Sequence, residues 1–583
     1  MRKGKFGLGR TLIAAIASGQ MLFVPASGKS SAPDRRMATF ANPIDLPYRY
    51  QPIKDPKVTT GVFREAADPT VVFFKGRYWL FASHSHGYWW STNLLDWTFV
   101  EQKGAGVERY APTAVVIGDR LYMATSDMSS KIWVTDDPMT GEWEAAANIP
   151  AHYWDPALFL DDDGRLFMYY GLSEKNPLLV EELDPKTFKS LTPKTPIPAS
   201  RDVENRGWEV VGDTNEQEDK PSYIEGAWMT KHGGRYYLEY SGPGTEWKSY
   251  ANGLLTATSP MGPFTYARYS PFAIKPSGFV AGAGHGSTFR GPDGKWWHVG
   301  TTTISKRHIF ERRLALFPAS FTKAGELVAD TYLADYPRYI DGKRELTGWM
   351  PLSRKKAVTA SSTLDGFPAG NAVDEDIRSW WSARTGNAGE WYQIDLGASK
   401  RIEAVQINFA DQDSVGKGIS ADTYRYSLQL SDDAKQWRTV IDTSGKGRDA
   451  PHDYRVLPRT ERARYVRLTN VHSPDGGKFS LSDLRVFGKG DGRPPAAVGG
   501  VSAVRNPSDG RKSTVSWRPA QGAEFYVVRI GAAPHLMNQS FHVYDGAMSV
   551  NINTLTKGQI YYVAVDAVNE AGIRRAIKTV VMQ

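Results

Sequence analysis

The sequence of 583 residues contains no cysteine. Disulfide bonds, cysteine-based metal sites and a lipidated N-terminal cysteine are therefore excluded. Long apolar stretches with helical periodicity are few. No membrane-spanning segment follows the first 28 or so residues, which form an N-terminal leader. The net charge of +8 is scattered, and it falls to +4 if the four basic residues of the leader are removed. So mild a charge argues against a nucleic-acid partner.

The first residues have the layout of a secretory signal peptide. Met1–Arg10 is basic, Thr11–Val24 is mostly apolar, and small residues follow at 26–28. This order predicts a signal peptide over about 1–28 and a secreted or periplasmic protein.

A repeated hairpin dominates the first half of the chain. Each copy has an opening residue, an apolar strand, a turn with glycine and a second strand rich in apolar and aromatic residues. The copies begin at Asp68, Ala111, Asp155, Glu225 and His285, which lie 43, 44, 70 and 60 residues apart. A period in the forties with about four short strands predicts a five-bladed β-propeller over 42–337. A β-sandwich, the alternative, would not predict that the same hairpin recurs.

The opening residues of the repeats suggest chemistry. In a propeller the first strand of every blade lines the central channel, so equivalent residues should converge in a ring at one mouth. Here that ring would hold three carboxylates, from Asp68, Asp155 and Glu225, with His285 and Ala111. Carboxylates packed together raise one another's pKa. One protonated and one ionised carboxyl group are what glycoside hydrolysis requires.

These motifs resemble those of the five-bladed glycoside hydrolases of family 43. The resemblance covers roughly Asn42 to Pro337 and rests on Asp68-Pro69, Asp155-Pro156, Ile224-Glu225-Gly226 and Gly284-His285-Gly286-Ser287. It implies an inverting mechanism with Asp68 as the general base and Glu225 as the general acid. Asp155 would raise the pKa of the acid and orient it. The resemblance also implies a central calcium or sodium ion beside His285, bound directly or through water, and no organic cofactor; a hydrogen-bonded core histidine is the alternative for His285.

The resemblance further implies an oligosaccharide or polysaccharide substrate. We expect an exo-acting α-L-arabinofuranosidase or β-D-xylosidase. Galactan or galactofuranoside cleavage, endo-arabinanase activity and a non-catalytic glycan-binding or adhesion protein remain alternatives, although a non-catalytic protein should have lost a carboxylate from the ring. Aromatic side chains near the ring could stack on sugar faces. The candidate substrate-binding residues are Trp154, Tyr110, Trp228, Trp89, Lys248 and Arg290.

The C-terminal half shows short alternating strands and tight turns, which predict two β-sandwich domains. Residues 346–489 resemble a discoidin, or factor 5/8 type C, domain. The resemblance leaves open whether this domain binds glycans or braces the propeller. After a linker rich in glycine, proline and alanine, residues 496–583 resemble a fibronectin type III sandwich, with Trp517 in the core and Tyr561 at the tyrosine corner. The whole chain is therefore predicted to be all-β, and we expect a monomer.

Overall fold

The computed structural model describes residues 37–52, 62–104, 109–126, 131–148, 153–305, 307–341 and 346–583. The predicted signal peptide lies outside them. Strands dominate the described residues, which confirms the all-β prediction. The helices described there are short 3₁₀ turns: Pro138–Thr140, Pro198–Ser200, Gly207–Glu209, Pro292–Gly294, Ala369–Val373 and Pro474–Gly476. None of the helices in the described ranges is long and apolar enough to cross a membrane.

Each of the five repeats forms one four-stranded antiparallel sheet, and the strands of every sheet pair in chain order. Sheet 1 consists of Thr70–Phe74, Arg77–Phe81, Gly87–Ser91 and Thr98–Glu101. Sheet 2 consists of Tyr110–Ile117, Arg120–Ser126, Lys131–Thr135 and Glu144–Asn148. Sheet 3 consists of Ala157–Leu160, Leu166–Tyr170, Leu178–Leu183 and Thr195–Ile197. Sheet 4 consists of Glu225–His232, Arg235–Gly242, Ala251–Ala257 and Thr265–Tyr266. Sheet 5 consists of Ala281–Arg290, Trp296–Thr303, Arg312–Phe321 and Leu327–Ala329.

The first strands of the five sheets contact one another in sequence, and sheet 5 closes the ring against sheet 1. Hydroxyl groups link neighbouring sheets near the centre. The backbone N–H of Ala111 donates to Ser83 Oγ at 2.8 Å, and that of Asp68 donates to Thr301 Oγ1 at 2.7 Å. Apolar clusters fill the spaces between the sheets. We call this closed ring of five sheets the propeller.

Two short antiparallel pairs lie beside the propeller. Thr39–Phe40 pairs with Arg338–Tyr339, and Arg49–Pro52 pairs with Val62–Glu65. The first of these pairs joins the beginning of the described chain to the end of the propeller.

The second domain is built on an eight-stranded antiparallel assembly. Its strands are Met350–Pro351, Ala357–Ala360, Trp381–Ser382, Trp391–Phe409, Arg425–Ser431, Arg438–Asp442, His452–His472 and Ser480–Lys489. Alternate residues of the long strands point inward, so that Ile394, Leu428 and Val466 are buried in one apolar core. The residues between them face outward.

The third domain has two sheets. One contains Gly499–Arg505, Ser513–Arg518 and Ser549–Ile552, and the other contains Phe525–Gly531, Gln539–Val543, Tyr562–Asn569, Gly572–Arg574 and Val580–Val581. Trp517 is buried, and the hydroxyl of Tyr561 accepts a hydrogen bond from the backbone N–H of Thr556 at 3.1 Å. The fibronectin type III resemblance of this part stays a prediction.

The second domain packs on the propeller through buried charged groups. Arg64, on the strand Val62–Glu65 that lies against sheet 5, forms ion pairs with Asp411 at 3.0 Å and Asp449 at 2.7 Å, and all three side chains are almost completely buried. The hydroxyl of Tyr50 donates to Asp411 at 2.7 Å. Charges that are buried together in this way hold the two domains in a fixed relation, since separating them would leave each one unpaired.

Candidate active site

At one mouth of the propeller, where the first strand of each sheet begins, the residues form two neighbouring rows around the channel. Residues of one row share a left-handed backbone, with φ of 53° at Asp68, 47° at Ala111, 48° at Asp155 and 30° at His285. In sheet 4 the residue with this conformation is Gly226, with φ of 65°, and Glu225 precedes it. The strand register agrees, since Glu225 pairs with Ser241 as Tyr110 pairs with Ser126.

The predicted equivalence of Glu225 with Asp68 and Asp155 is therefore wrong by one residue. Glu225 belongs to the row that contains Tyr110 and Trp154. The physical reason is that neighbouring residues of a strand point in different directions, so a shift of one residue redirects the side chain. Gly226 permits this arrangement because a Cβ atom at that position would lie 2.8 Å from the His285 ring. The carboxyl of Glu225 thus enters the site from a different row than the two aspartates.

Asp68 is buried and is held by three polar groups. Ser83 Oγ donates to its Oδ2 at 2.5 Å, Arg312 Nη1 lies 3.4 Å from its Oδ1, and His285 Nδ1 lies 3.3 Å from the same oxygen. Burial by itself would raise the pKa of Asp68, but Arg312, His285 and Ser83 together lower it below its ordinary value. Asp68 is therefore ionised at neutral pH.

The pKa values of Asp155 and Glu225 are raised, whereas that of Asp68 is lowered. Their carboxyl groups and the His285 ring each place one polar atom within 4.8 Å of the others. Burial raises the pKa of Glu225 to about 7, with a further contribution from the charge of Asp68. Burial and the charges of Glu225 and Asp68 raise the pKa of Asp155 well above its ordinary value. One ionised and one protonated carboxyl group can thus coexist at this mouth.

Two further side chains complete the charged centre. Tyr250, which is buried, donates its hydroxyl hydrogen to Oε1 of Glu225. Besides contacting Asp68, Arg312 donates to Glu65 at 2.5 Å and to Thr245 Oγ1 at 3.2 Å. The sequence interpretation missed both as site residues. Both lie within residues 42–337, which the family resemblance covers, but none of its four motifs contains either residue.

An aromatic rim surrounds these groups. Trp154 precedes Asp155 and exposes 44% of its surface. The ring of Tyr110 lies 4.2 Å from the His84 ring and 5.4 Å from the Phe310 ring. The Nε2 atom of His84 is buried and has no hydrogen-bond partner among the described residues. His84 also has a left-handed backbone, with φ of 54°, a strained conformation that is common at functional sites.

Three of the predicted substrate-binding residues, Trp89, Trp228 and Arg290, lie away from the mouth of the propeller. Trp89 is fully buried between sheets, with its ring 5.4 Å from Phe99. Trp228 is partly buried against the core of sheet 4, and its indole N–H donates to the backbone oxygen of Thr288 at 3.0 Å. Arg290 follows His285 by five residues on one strand, so the two lie about 16 Å apart. These three predictions are wrong because strand alternation and strand length direct the side chains away from the mouth.

Lys248, a fourth predicted substrate-binding residue, forms an ion pair with the second domain instead. Its Nζ lies 3.3 Å from Asp376. That domain reaches the rim of the site at this point. Arg378 donates to Asp213 at 2.8 Å and to the backbone oxygen of Glu246 at 3.1 Å. The loop 243–250, which carries Tyr250, is therefore anchored by the second domain.

The ligands that the predicted central cation requires can be compared with the side chains at the mouth. Asp155, Glu225 and His285 offer two carboxyl groups and one imidazole, whereas Ca²⁺ takes about six to eight oxygen ligands. The cluster does not fit direct binding of calcium, and the cation beside His285 stays a prediction.

Comparison with known proteins identifies two regions of the chain. Residues 62–326 match the model of glycosyl hydrolases family 43, and residues 357–483 match the F5/8 type C domain. A β-xylosidase of Xylanibacter ruminicola is 27% identical over 195 residues, which cover 30% of this chain and 57% of that protein. A β-D-galactofuranosidase of Aspergillus niger is 26% identical over 275 residues, covering 40% and 72% of the two chains. An arabinoxylan arabinofuranohydrolase of Paenibacillus polymyxa is 30% identical over 164 residues, covering 27% and 24%.

Among solved structures, one described as a glycoside hydrolase aligns with 76% of this chain and 99% of its own, at 18% identity and a TM-score of 0.43. Another, of a xyloglucan-locus family 43 protein of Bacteroides ovatus, aligns with 92% of this chain and 97% of its own, at 14% identity and a TM-score of 0.40.

Proposed function

Since residues 62–326 are a domain of glycosyl hydrolases family 43 and an F5/8 type C domain follows, we propose that this protein is an inverting, exo-acting glycosidase. Its proposed substrates are α-L-arabinofuranosyl or β-D-xylosyl groups at the ends or side chains of a plant polysaccharide or a related one. The observation that carries the proposal is the meeting of Asp68 and Glu225 at one mouth, with pKa values shifted in opposite directions. A pair of this kind supplies a base and an acid at the same pH.

Asp68 is the proposed general base. Its ionised carboxylate takes a proton from a water molecule, whose oxygen attacks the anomeric carbon. Ser83 and Arg312 fix the orientation of this carboxylate and keep it ionised. Because the water attacks from the face opposite the leaving group, the configuration at the anomeric carbon inverts.

Glu225 is the proposed general acid. With a pKa of about 7 it is partly protonated at neutral pH, and it gives its proton to the glycosidic oxygen as the bond to the anomeric carbon breaks. Tyr250 holds the carboxyl group of Glu225 from behind. Asp155 and Glu225 oppose each other's ionisation, because a negative charge on either carboxyl group disfavours a second one beside it. His285 lies between Asp155 and Asp68. No step of this reaction requires the predicted cation.

Trp154, Tyr110 and His84 are the proposed contacts to the sugar. Trp154 offers an exposed aromatic face next to Asp155. The unpartnered Nε2 of His84 can exchange a hydrogen bond with a sugar hydroxyl, and burial lowers the pKa of His84 to about 4, so the ring is neutral.

Furanosides of galactose form a second candidate substrate, because the β-D-galactofuranosidase relative is matched over 72% of its own length. We also propose that the protein is secreted or periplasmic, since the basic, apolar and small-residue order of 1–28 is that of a signal peptide.

The decisive experiment is hydrolysis of a panel of nitrophenyl glycosides and oligosaccharides, followed by NMR of the first-formed product. The panel includes α-L-arabinofuranosides, β-D-xylosides and β-D-galactofuranosides. We expect turnover of a pentoside with inverted configuration, and none after Asp68→Ala. The variant Glu225→Ala should lose activity on oligosaccharides but keep it on aryl glycosides with good leaving groups. Retained configuration, or equal loss on both substrate types, would contradict the proposed roles.

A further inference from the structure

The outer face of the F5/8 type C domain carries a polar row that crosses five strands. Its members are paired directly across the sheet in the order Thr359, Gln393, Arg467, Gln429 and Thr439. Their immediate neighbours along the strands, such as Ile394 and Val466, point into the core. The row therefore faces outward, and each of its three central side chains is partly exposed.

Arg467 is the centre of this row and lies between two indole rings. Its guanidinium carbon is 4.6 Å from the ring centre of Trp391 and 4.0 Å from that of Trp437. Gln393 Oε1 accepts hydrogen bonds from Arg467 Nε at 3.1 Å and Nη2 at 2.7 Å. The guanidinium is thus fixed in position by two aromatic walls and one amide, although it is only partly buried.

The charge of Arg467 has no partner of opposite sign in the described part of the chain. No carboxylate lies within ion-pair distance of it among the residues that the structure describes, in contrast to Arg464 on the same strand, which binds Asp395 through two hydrogen bonds at 2.8 and 2.7 Å. Burial between the rings lowers the pKa of Arg467 without an opposing carboxylate. A preorganised guanidinium with free N–H groups is suited to a carboxylate, which it can bind through two parallel hydrogen bonds.

We propose that this row is a glycan-binding site for a carboxylate-bearing sugar, namely a hexuronate unit of an acidic polysaccharide. Nη1 of Arg467 binds the carboxylate, the flanking indoles contact the sugar rings, and the amides of Gln393 and Gln429 bind hydroxyl groups. A glycan is the partner chosen because the propeller of the same chain acts on glycans, so the choice of partner rests on the proposed function. The row lies on the outer sheet face, so that a polysaccharide could be held there while the active site works on it.

The test is calorimetric binding of the full-length protein to hexagalacturonate, to its methyl ester and to a neutral arabino-oligosaccharide. We expect binding of the acid only, and weakening by about tenfold or more after Arg467→Met, which preserves the packing between the indoles. Arg467→Lys should bind with intermediate strength, because it keeps the charge but loses the planar fork. The matched control is Arg464→Met, which should bind as the wild type does.

Three results would overturn the proposal: no binding of hexagalacturonate, equal binding of its methyl ester, or undiminished binding by Arg467→Met. Equal or stronger binding of the neutral oligosaccharide would likewise refute a carboxylate site. Binding is measured separately on the Asp68→Asn variant, which should bind hexagalacturonate normally. A failure of the glycosidase proposal is thereby distinguished from a failure of this one.

Discussion

The hydroxyl of Tyr250 donates a hydrogen bond to the carboxyl group of Glu225 in the buried mouth of the propeller. This contact stabilises the ionised form of Glu225 and so lowers its pKa, against the larger effect of burial, which raises it. Tyr250 belongs to a loop that the second domain anchors through Arg378. The pKa of Glu225, the proposed proton donor, is thus lowered by a residue 25 positions away in the sequence, on a loop that another domain supports.

Replacement of Tyr250 by phenylalanine should raise the pKa of Glu225. The alkaline limb of the kcat/KM profile on an oligosaccharide should then move upward by about one pH unit, since a hydrogen bond to an ionised group is lost. The matched control is Tyr237→Phe, a buried tyrosine of sheet 4 whose hydroxyl donates to Gly325 instead. A shift of similar size in the control, or a downward shift in Tyr250→Phe, would be inconsistent with this role.

The pH dependence of the wild type should be asymmetric. Glu225 must be protonated to act, and its pKa is about 7, so activity on oligosaccharides should fall about tenfold per unit above that pH. Asp68 must be ionised, and Arg312, His285 and Ser83 lower its pKa, so the acid limb should lie below that of an ordinary carboxylate. Steady-state rates from pH 3 to 9 test this, and activity that rises between pH 7 and 9 would contradict the assignment of the acid.

Replacement of His84 by asparagine should weaken substrate binding. Asparagine tolerates the left-handed backbone of this position, so the loop should keep its shape. We expect KM to rise about fivefold to tenfold with a smaller change in kcat, because one hydrogen bond to a sugar hydroxyl is lost. The control is His86→Asn, a histidine of the same loop with a similar backbone. Equal effects in both variants would point to the loop rather than to the His84 side chain.

Removal of the Arg378 side chain should loosen the loop 243–250. The variant Arg378→Ala loses the contacts to Asp213 and Glu246, and hydrogen exchange in this loop should become faster. The kcat for oligosaccharides should fall severalfold, since Tyr250 is held less firmly. Arg384→Ala, an exposed arginine of the same domain that contacts Thr363, is the matched control. Unchanged exchange in loop 243–250 would show that Arg378 does not anchor it.

The buried charges between the propeller and the second domain should be costly to disrupt. The variant Arg64→Met leaves Asp411 and Asp449 without their cation, and we expect a loss of about 3–5 kcal/mol in the free energy of unfolding. Adding Asp449→Asn should recover part of this loss, because one uncompensated charge is removed. The surface pair of Arg120 with Asp136 provides the control, and Arg120→Met should cost at most about 1 kcal/mol. Urea denaturation measures all three.

Much of the fold could be predicted from the sequence, because strands and turns depend on residues close together in the chain. Each of the five repeats that open at Asp68, Ala111, Asp155, Glu225 and His285 became one sheet of the propeller. The gathering of Asp68, Asp155 and His285 followed from the repeat alone, since equivalent positions of a closed ring must converge. The absence of cysteine likewise determined that no disulfide stabilises any domain.

Only the tertiary structure decided the position of Glu225 in its row, because the strand register, in which Glu225 pairs with Ser241 as Tyr110 pairs with Ser126, cannot be read from the repeat. It also decided that Tyr250, Arg312 and His84 belong to the site, and that Trp89 and Arg290 do not. These outcomes depend on contacts between residues far apart in sequence, and on which face of a strand meets a neighbouring sheet. Such contacts depend on many residues along the whole chain acting together, whereas a motif covers only one short segment.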